Sequence, residues 1–296
     1  LPDFPVGRLP AANLTEAKYM RAEARFLRAY AYYDALDLFG NVPFVKEDYL
    51  PGSINPPARI TRPELFKFVE SELLACATDL KDAKTNQYAR ADKAAAWALL
   101  ARLYLNAQVY TGTARYADVI TNCEKVIGAG YSLKSKYADL FLADNDKNNT
   151  ETILPVAFDG LRIQSYGGST YMIHASVGGK MNASEFGING GWGGLRTTKA
   201  YVNLFPAADL RGNFFKDGQS LEINDLGSFS DGYAFVKYKN VTSTGVKGSD
   251  GAGNFADTDI PLLRLGDVYL MYAEAFARGG GGDAAKALGF VNALRA

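Results

Sequence analysis

The chain is 296 residues long and 48% hydrophobic, which is enough to bury a large apolar core. Its 32 basic and 32 acidic residues balance and form no block of like charge. This balance excludes the electrostatic pattern of proteins that bind nucleic acids or anionic membrane surfaces. No stretch approaches the roughly 18 consecutive apolar residues that a membrane-spanning helix needs. The composition therefore predicts a globular chain.

The first predicted element is a long helix that ends before Pro43. Two sets of apolar residues recur at steps of three or four, which is the periodicity of a helix. Because both stripes are apolar, we expect a central helix with several others packed against it. Asn13 and Glu16 predict a capping box at its start, and Gly40 predicts its C-cap. The first stripe is Met20, Ala24, Leu27, Ala31, Ala35 and Leu38, and the second is Phe26, Tyr30 and Tyr33.

A second helix is predicted after a proline-rich stretch. Residues 45–63, which include Pro51, contain four prolines and one glycine, which break regular structure and predict a surface excursion. The helix that follows covers about residues 64–84, with Thr61 as its N-cap and Pro63 in its first turn. We expect this helix to pack antiparallel against the first.

Two helical hairpins complete the predicted scaffold. Residues 92–109 and 116–127 form amphipathic helices joined by a short turn, and the pair has the size of a tetratricopeptide (TPR) repeat, about 34 residues. Residues 260–296 predict a second hairpin around the four glycines at 279–282. Asp267 and Glu274 lie in this second hairpin. We expect them to form ion pairs with Arg25 or Arg28 that hold the hairpin in the scaffold.

The middle of the chain has a different character. Residues 150–158 predict a strand, and residues 160–253 contain 18 of the 30 glycines with no long helical period, although a short helix is expected at 198–205. Long irregular stretches are usually functional or disordered, and the many aromatic residues here argue against disorder. The sequence thus predicts a mostly α fold, with a TPR-like helical hairpin scaffold and a loop-rich insertion that contains short strands. The scaffold covers residues 13–142 and 260–296, and the ligand-binding insertion covers residues 150–259.

Several motifs follow one another along the chain. They are an Arg-Phe-Leu-Arg-Ala-Tyr run at 25–30, a Leu-Phe-Gly-Asn-Val-Pro run at 38–43, an alanine-rich helix at 94–105, the strand at 151–158, a Gly-Trp-Gly loop at 191–193 and an Arg-x-x-Asp-x-x-Leu-x-x-Ala-Glu-Ala helix from residue 264. In this order they resemble the motifs of the SusD/RagB family of Bacteroidetes nutrient-binding outer-membrane lipoproteins. The family normally has more chain before Leu1, including a lipidated cysteine, and a further segment after Ala296. The resemblance therefore implies that residues 1–296 are a fragment with one SusD-like domain.

No catalytic or metal-binding pattern is assembled in the sequence. The single histidine, His174, has no nucleophile-elbow motif to supply a partner. Cys76 and Cys123 lie on different predicted helices, where buried thiols are expected and a disulfide is unsupported. A glycosidase needs only two facing carboxylates, and the sequence singles out no pair. We therefore expect no catalysis, no metal and no cofactor.

The two tryptophans have opposite surroundings. Trp97 lies among alanines and leucines on a predicted helix, which favours a packing role, whereas Trp192 is flanked on both sides by glycines. An exposed indole can stack on the C–H face of a sugar, so Trp192 is the main candidate for ligand binding. The alternative is that Trp192 anchors its loop to the scaffold. Weaker ligand-binding candidates lie in the same insertion: Tyr166, Tyr171, His174 and Asn182.

The resemblance also implies a function. SusD-like proteins capture a nutrient, most often an oligosaccharide, at the cell surface and deliver it to a SusC-like TonB-dependent outer-membrane transporter, on which they sit as a lid. The protein would then be a surface-exposed outer-membrane lipoprotein, attached through a lipid anchor that this chain lacks. We expect the ligand on residues 160–253 and the transporter on the helical segments. Two alternatives remain open, a glycan-active hydrolase and a helical-repeat scaffold that binds peptides or proteins.

Overall fold

A computed structural model describes residues 9–47, 49, 52 and 54–295. Leu1, Pro51 and Ala296, which are named above, lie outside the described residues. The helices are α1 (Ala11–Phe39), α2 (Arg62–Asp79), α3 (Lys93–Leu105), α4 (Ala107–Thr111), α5 (Tyr116–Gly128), α6 (Gly168–Ser176), α7 (Lys199–Val202), α8 (Leu265–Ala277) and α9 (Ala284–Arg295). The strands are β1 (Val42–Pro43), β2 (Arg59–Ile60), β3 (Thr152–Val156), β4 (Arg196–Thr197), β5 (Phe214–Phe215), β6 (Tyr233–Phe235) and β7 (Ile260–Arg264).

The chain divides into two units. The first unit is Leu1–Tyr131 with Leu263–Ala296, and the second is Ser132–Leu262. The first unit is helical and contains α1 to α5, α8 and α9, whereas the second has short helices and strands joined by loops. The predicted fold class is therefore confirmed: the protein is mostly α, and its strands are few and short in the part of the chain that the structure describes.

In the first unit, helices pack as antiparallel neighbours. Arg62 at the start of α2 donates to the Leu36 carbonyl near the end of α1, while Lys81 after α2 pairs with Glu16 near the start of α1. The predicted antiparallel packing of the first two helices is thus confirmed. Helix–helix contacts also join α2 to α3, α3 to α5, α5 to α8, and α8 to α9.

Local capping signals account for several helix ends. The Thr61 and Glu64 side chains form a reciprocal capping box at the start of α2, as the Thr61 N-cap predicted. Gly40, at φ +71°, ends α1 as predicted. The capping box predicted at Asn13 is wrong, because α1 begins earlier, at Ala11 after Pro10, and has no side-chain cap.

The buried face of α1 differs from the longer predicted stripe. Its buried residues are Ala22, Phe26, Ala29, Tyr33 and Leu36. Met20, Leu27 and Leu38 of the longer stripe are 54%, 62% and 71% exposed. The two predicted stripes compete for one packing surface, and the stripe with the aromatic rings removes more apolar area from water when it is buried. Helix α1 packs most extensively on α2 and also contacts α3, and Tyr110 of α4 donates to Asp37 of α1 at 2.6 Å.

Three further predictions in the first unit need correction. The third predicted helix is interrupted after α3 and resumes as α4. Residues 260–264 form strand β7 rather than the start of a helix, because Pro261 disfavours a helical conformation for the residue before it. The predicted ion pairs form with other partners: Asp267 with Arg102, Glu274 with Arg278, and Arg25 and Arg28 with Glu72. Cys76 and Cys123 are buried free thiols.

In the second unit, a small sheet and a helix enclose an apolar core. The antiparallel sheet has the order β4-β6-β5, with Thr197 opposite Tyr233 and Phe214 opposite Phe235. The strand predicted at 150–158 is present as β3. Helix α6 was not predicted, because its first residues, Gly168, Ser169 and Thr170, are poor helix formers. The buried residues that form this core are Ile173, Val177, Met181, Phe186, Ile188, Ala234 and Ala256.

None of the helices in the described residues combines the length and the apolar character needed to cross a membrane.

Candidate ligand-binding site

The site begins with the C-terminal end of α6, whose last carbonyls lack partners within the helix. The following glycine loop supplies them. The Trp192 amide donates to the His174 carbonyl at 2.8 Å, and the amides of Gly194 and Leu195 donate to the Ala175 carbonyl at 2.8 and 2.6 Å. The loop that carries Trp192 is therefore the cap of α6, and its backbone position is fixed by the helix.

Glycine is required where this loop approaches the helix. A Cβ atom on Gly191 would overlap the backbone carbonyl of Val177, and one on Gly178 would lie 2.8 Å from the Cα atom of Gly193. Gly193 also has φ +62°, in the left-handed region that side chains disfavour. The glycines around Trp192 thus allow close backbone contact and do not simply add flexibility.

The Trp192 indole lies in a group of aromatic side chains, which we call the aromatic cluster: Tyr166, Tyr171, His174, Trp192 and Phe255. The centroids of Tyr166 and Tyr171 both lie 6.2 Å from that of Trp192, with interplanar angles of 52°. Trp192, Tyr166 and Tyr171 are 46%, 66% and 45% exposed, so the three rings present a surface to solvent. Although only glycines flank Trp192 in the sequence, side chains from elsewhere in the second unit surround its indole.

His174 occupies the buried side of the cluster. Its ring stacks on the Trp192 indole with a centroid distance of 4.8 Å and an interplanar angle of 22°. Its Nδ1 lies 2.7 Å from the Gly190 carbonyl oxygen, and because a carbonyl only accepts, Nδ1 is the donor. Nε2 is buried without a hydrogen-bond partner in the described residues. Since His174 is 2% exposed, its side chain is covered and cannot contact a ligand on the exposed surface of the cluster.

Asn182 is not part of this cluster. It is exposed and begins the short 3-10 turn Ala183–Phe186, where its side-chain oxygen accepts from the Ser184 amide at 3.2 Å. Its amide nitrogen lies 3.5 Å from Glu185. These contacts give Asn182 a local capping role, and its contact with a ligand stays a prediction.

The sequence analysis missed Phe255, whose ring lies 5.3 Å from that of Tyr166. Phe255 follows a turn held by Asp250, which accepts from the amides of Ala252, Asn254 and Phe255 at 3.0, 2.8 and 3.0 Å. Burial acts to raise the pKa of Asp250, but these backbone donors hold it below its ordinary value. The Asp-Gly and Gly-Asn pairs before Phe255 are turn signals that could have indicated a fixed aromatic residue.

Two asparagines adjoin the cluster in sequence, and sequence reasoning also missed them. Asn189 precedes Gly190, and Asn254 precedes Phe255. The Asn189 amide nitrogen Nδ2 donates to Asn254 Oδ1 at 2.5 Å, and the Asn189 backbone amide donates to the Gly253 carbonyl at 3.1 Å. This pairing leaves the Asn189 side-chain oxygen and the Asn254 side-chain amide to face other groups.

A groove of about 710 Å³ in the first unit is a competing location. Its floor includes Phe44 and Phe68, whose rings pack edge to face at 4.8 Å and 77°. Rings packed edge to face offer no common flat surface to a sugar, whereas Trp192 is 46% exposed. We therefore assign the candidate site to the aromatic cluster. Among the described residues, no group of three or more His, Cys, Asp and Glu side chains is arranged to hold a metal ion.

The chain matches two family models. Residues 104–296 match the model described as "SusD family", and residues 8–105 match one described as "Starch-binding associating with outer membrane". The "Starch-binding protein SusD" of Bacteroides thetaiotaomicron is 34% identical over 96% of this chain and 59% of its own length. A "SusD-like protein" of Bacteroides ovatus is 29% identical over 86% of this chain and 48% of its own length. The chain thus spans about half the length of these curated relatives.

Solved structures share the fold. A SusD superfamily protein from Parabacteroides distasonis superposes with a TM-score of 0.74 at 24% identity, covering 98% of this chain and 62% of that chain. A "Laminarin binding SusD-like protein" superposes with a TM-score of 0.72 at 22% identity, covering 99% of this chain and 65% of that chain. At these identities, the similarity shows the fold alone.

Proposed function

The chain belongs to the SusD family, and on that premise we propose that it binds an oligosaccharide on the aromatic cluster. The observation that supports this site is the Trp192 indole, which is 46% exposed on a loop whose backbone caps α6. A fixed, exposed indole is suited to a sugar because its electron-rich face attracts the slightly positive C–H groups of a pyranose. Tyr166 and Tyr171 would extend the contact to neighbouring sugar units.

The relatives support a carbohydrate ligand. One is named as a starch-binding protein, and one solved structure of this fold is described as laminarin-binding. Both names describe glucose polymers, so maltoheptaose and laminariheptaose are the first probes to use. The relatives are also described as binding proteins, and we propose that this chain likewise binds its ligand without cleaving it.

We further propose that the full-length protein is a surface lipoprotein of the outer membrane. It would pass its ligand to a SusC-like TonB-dependent transporter, on which it rests as a lid. The family model described as associating with the outer membrane supports this location. Family membership supports the proposed lipid anchor and the proposed transporter.

The test is a glycan array followed by calorimetric titration of each glycan that binds. Trp192→Ala should weaken binding at least about tenfold, because the largest exposed ring of the site is removed. Tyr201→Ala is the matched control, since Tyr201 is a 42% exposed aromatic residue of the same unit that contacts Phe205 and Phe214 instead of the cluster. An array without any bound glycan, or equal binding by wild type and Trp192→Ala, would reject the proposal. Shortened glycans in a chromatogram after incubation would show catalysis and favour the hydrolase alternative.

A further inference from the structure

We propose that His174 is a positioning residue of this site, which fixes the Trp192 indole in the orientation that binds ligand. The inference rests on the proposed function for its effect on affinity. Its structural part, the restraint of Trp192 by His174, can be tested without any ligand.

Three separate contacts join His174 to the Trp192 loop. The His174 backbone carbonyl accepts from the Trp192 amide at 2.8 Å. The His174 side chain donates from Nδ1 to the Gly190 carbonyl at 2.7 Å. The imidazole ring also covers one face of the indole at 4.8 Å and 22°. His174 therefore restrains the backbone at Gly190, before Gly191, and it restrains both the backbone and the ring of Trp192, after Gly191.

The anchor itself is rigid. His174 lies on α6 between Ile173 and Ala175, which are 0% and 3% exposed and pack in the second unit. His174 is 2% exposed and Trp192 is 46% exposed, so the imidazole covers one face of the indole while Trp192 keeps a surface open to solvent. This arrangement connects the buried core to a surface that can receive a ligand.

The loop needs such an anchor because of its composition. Gly190, Gly191, Gly193 and Gly194 flank Trp192, and glycine gives a chain more conformational freedom than any other residue. A loop that samples many conformations must be ordered when ligand binds, and this ordering weakens affinity. By restraining the loop before ligand arrives, His174 would lower that cost.

Histidine combines a ring that stacks on the indole with an N–H donor for the Gly190 carbonyl, and two substitutions remove these properties one at a time. Phenylalanine could stack on the indole but has no donor for the Gly190 carbonyl, whereas glutamine has a donor but no ring. His174→Phe and His174→Gln therefore separate the stacking contact from the hydrogen bond. Ser176→Ala is the matched control, because Ser176 is a buried polar residue of α6 that donates to the Met172 carbonyl within the helix.

The first measurement uses time-resolved fluorescence anisotropy without ligand. The chain has two tryptophans, so Trp97→Phe leaves Trp192 as the only indole emitter. In this background, His174→Phe and His174→Gln should increase the amplitude of fast local motion of Trp192, while Ser176→Ala should not. Unchanged local motion in both His174 variants would overturn the inference, whether or not a glycan is known.

The second measurement does not require a variant of His174 to fold. Because His174 is the only histidine, its ring protons give isolated NMR signals in the wild-type protein. Stacking on Trp192 should shift these signals upfield, and Trp192→Ala should abolish the shift. The nitrogen signals should show a protonated Nδ1. Wild-type ring protons without the upfield shift would overturn the inference.

The third measurement concerns affinity for maltoheptaose and laminariheptaose. Each His174 variant should bind the probe recognised by wild type about fivefold more weakly, the effect expected from ordering one large side chain. Ser176→Ala should bind as wild type does. Equal affinity in wild type and both variants would overturn the positioning role. If wild type binds neither probe, the proposed function fails for these glycans, while anisotropy and NMR still decide the role of His174.

Discussion

Arg102 on α3 donates to the carboxylate of Asp267 on α8 at 2.5 Å, although 165 positions separate the two residues. The Arg102 side chain is 24% exposed. Burial acts to lower the pKa of Arg102, but the charge and hydrogen bond of Asp267, together with the nearby Tyr33 and Tyr30, raise that pKa above its ordinary value. The ion pair therefore joins the N-terminal and C-terminal helices of the first unit into one scaffold.

Removal of this pair should destabilise the first unit. Asp267→Ala leaves a largely buried guanidinium without its carboxylate, and we expect a loss of about 1–3 kcal/mol in the free energy of unfolding, below the cost for a fully buried pair. Glu274→Ala on the same helix is the control. Glu274 pairs with Arg278 in an exposed contact, which contributes only about 0.5 kcal/mol. Chemical denaturation would measure both losses, and equal values would contradict a special role for Arg102 and Asp267.

The two tryptophans should respond differently to truncation. Trp97→Ala empties a partly buried position on α3. We expect it to lower the free energy of unfolding by about 2–4 kcal/mol, somewhat less than the loss of a fully buried aromatic residue. Trp192→Ala loses contacts with His174 and two tyrosines but leaves the backbone bonds to α6, so its cost should be about 1 kcal/mol. Calorimetry that finds Trp192→Ala the more destabilising variant would favour the alternative that Trp192 serves mainly as an anchor.

The asparagine pair should contribute hydrogen bonds to the ligand. Asn189 and Asn254 bind one another and keep one acceptor and one donor for neighbouring hydroxyl groups of a sugar. We expect Asn254→Ala to weaken glycan binding by about two- to tenfold, the value of one neutral hydrogen bond. Asn182→Ala, which removes an exposed asparagine outside the cluster, should leave affinity unchanged. A calorimetric titration in which both variants match wild type would exclude the pair from the site.

Acid should weaken the turn that precedes Phe255. Burial acts to raise the pKa of Asp250, yet three backbone amides hold it below the ordinary value of about 3.9. A carboxyl group whose pKa is lowered in the folded state stabilises the protein at pH values above its ordinary pKa. This stabilisation is lost as the pH falls through the lowered pKa. Glycan binding should therefore decline below about pH 4. Asp250→Asn should bind more weakly at pH 7 and show a smaller decline, and identical pH profiles for both proteins would argue against this cause.

Local sequence signals predicted much of the first unit. Thr61 with Glu64, and Gly40 at the end of α1, act through contacts within a few residues, so their roles can be inferred without a three-dimensional structure. Periodicity did not identify the buried face of α1, because Phe26 and Leu27 belong to two apolar stripes and only the packing of α2 selects between them. Local patterns therefore predict the presence of a helix more reliably than they predict its buried face.

The candidate site was only partly accessible from the sequence. The glycines around Trp192 indicated an unusual loop, and Tyr166 and Tyr171 lie beside Trp192 as their nearness in the sequence suggested. Phe255 could not be inferred, since its contact with Tyr166 depends on the fold of the second unit. The burial of His174 likewise follows from the capping of α6 by residues 192–195, a tertiary interaction without a periodic signal.

The proposed transporter should contact the helices of the first unit rather than the aromatic cluster. Packed helices offer broad, rigid surfaces, and a stable lid would bury more than about 1,000 Å² against its partner. The full-length lipoprotein would be purified with its transporter, and hydrogen exchange would be compared with that of the lipoprotein alone. We expect protection on helical segments of the first unit and their connecting loops. A ligand-induced change should instead be confined to residues 160–255. Protection by the transporter only within residues 160–253 would reject this division between ligand and partner.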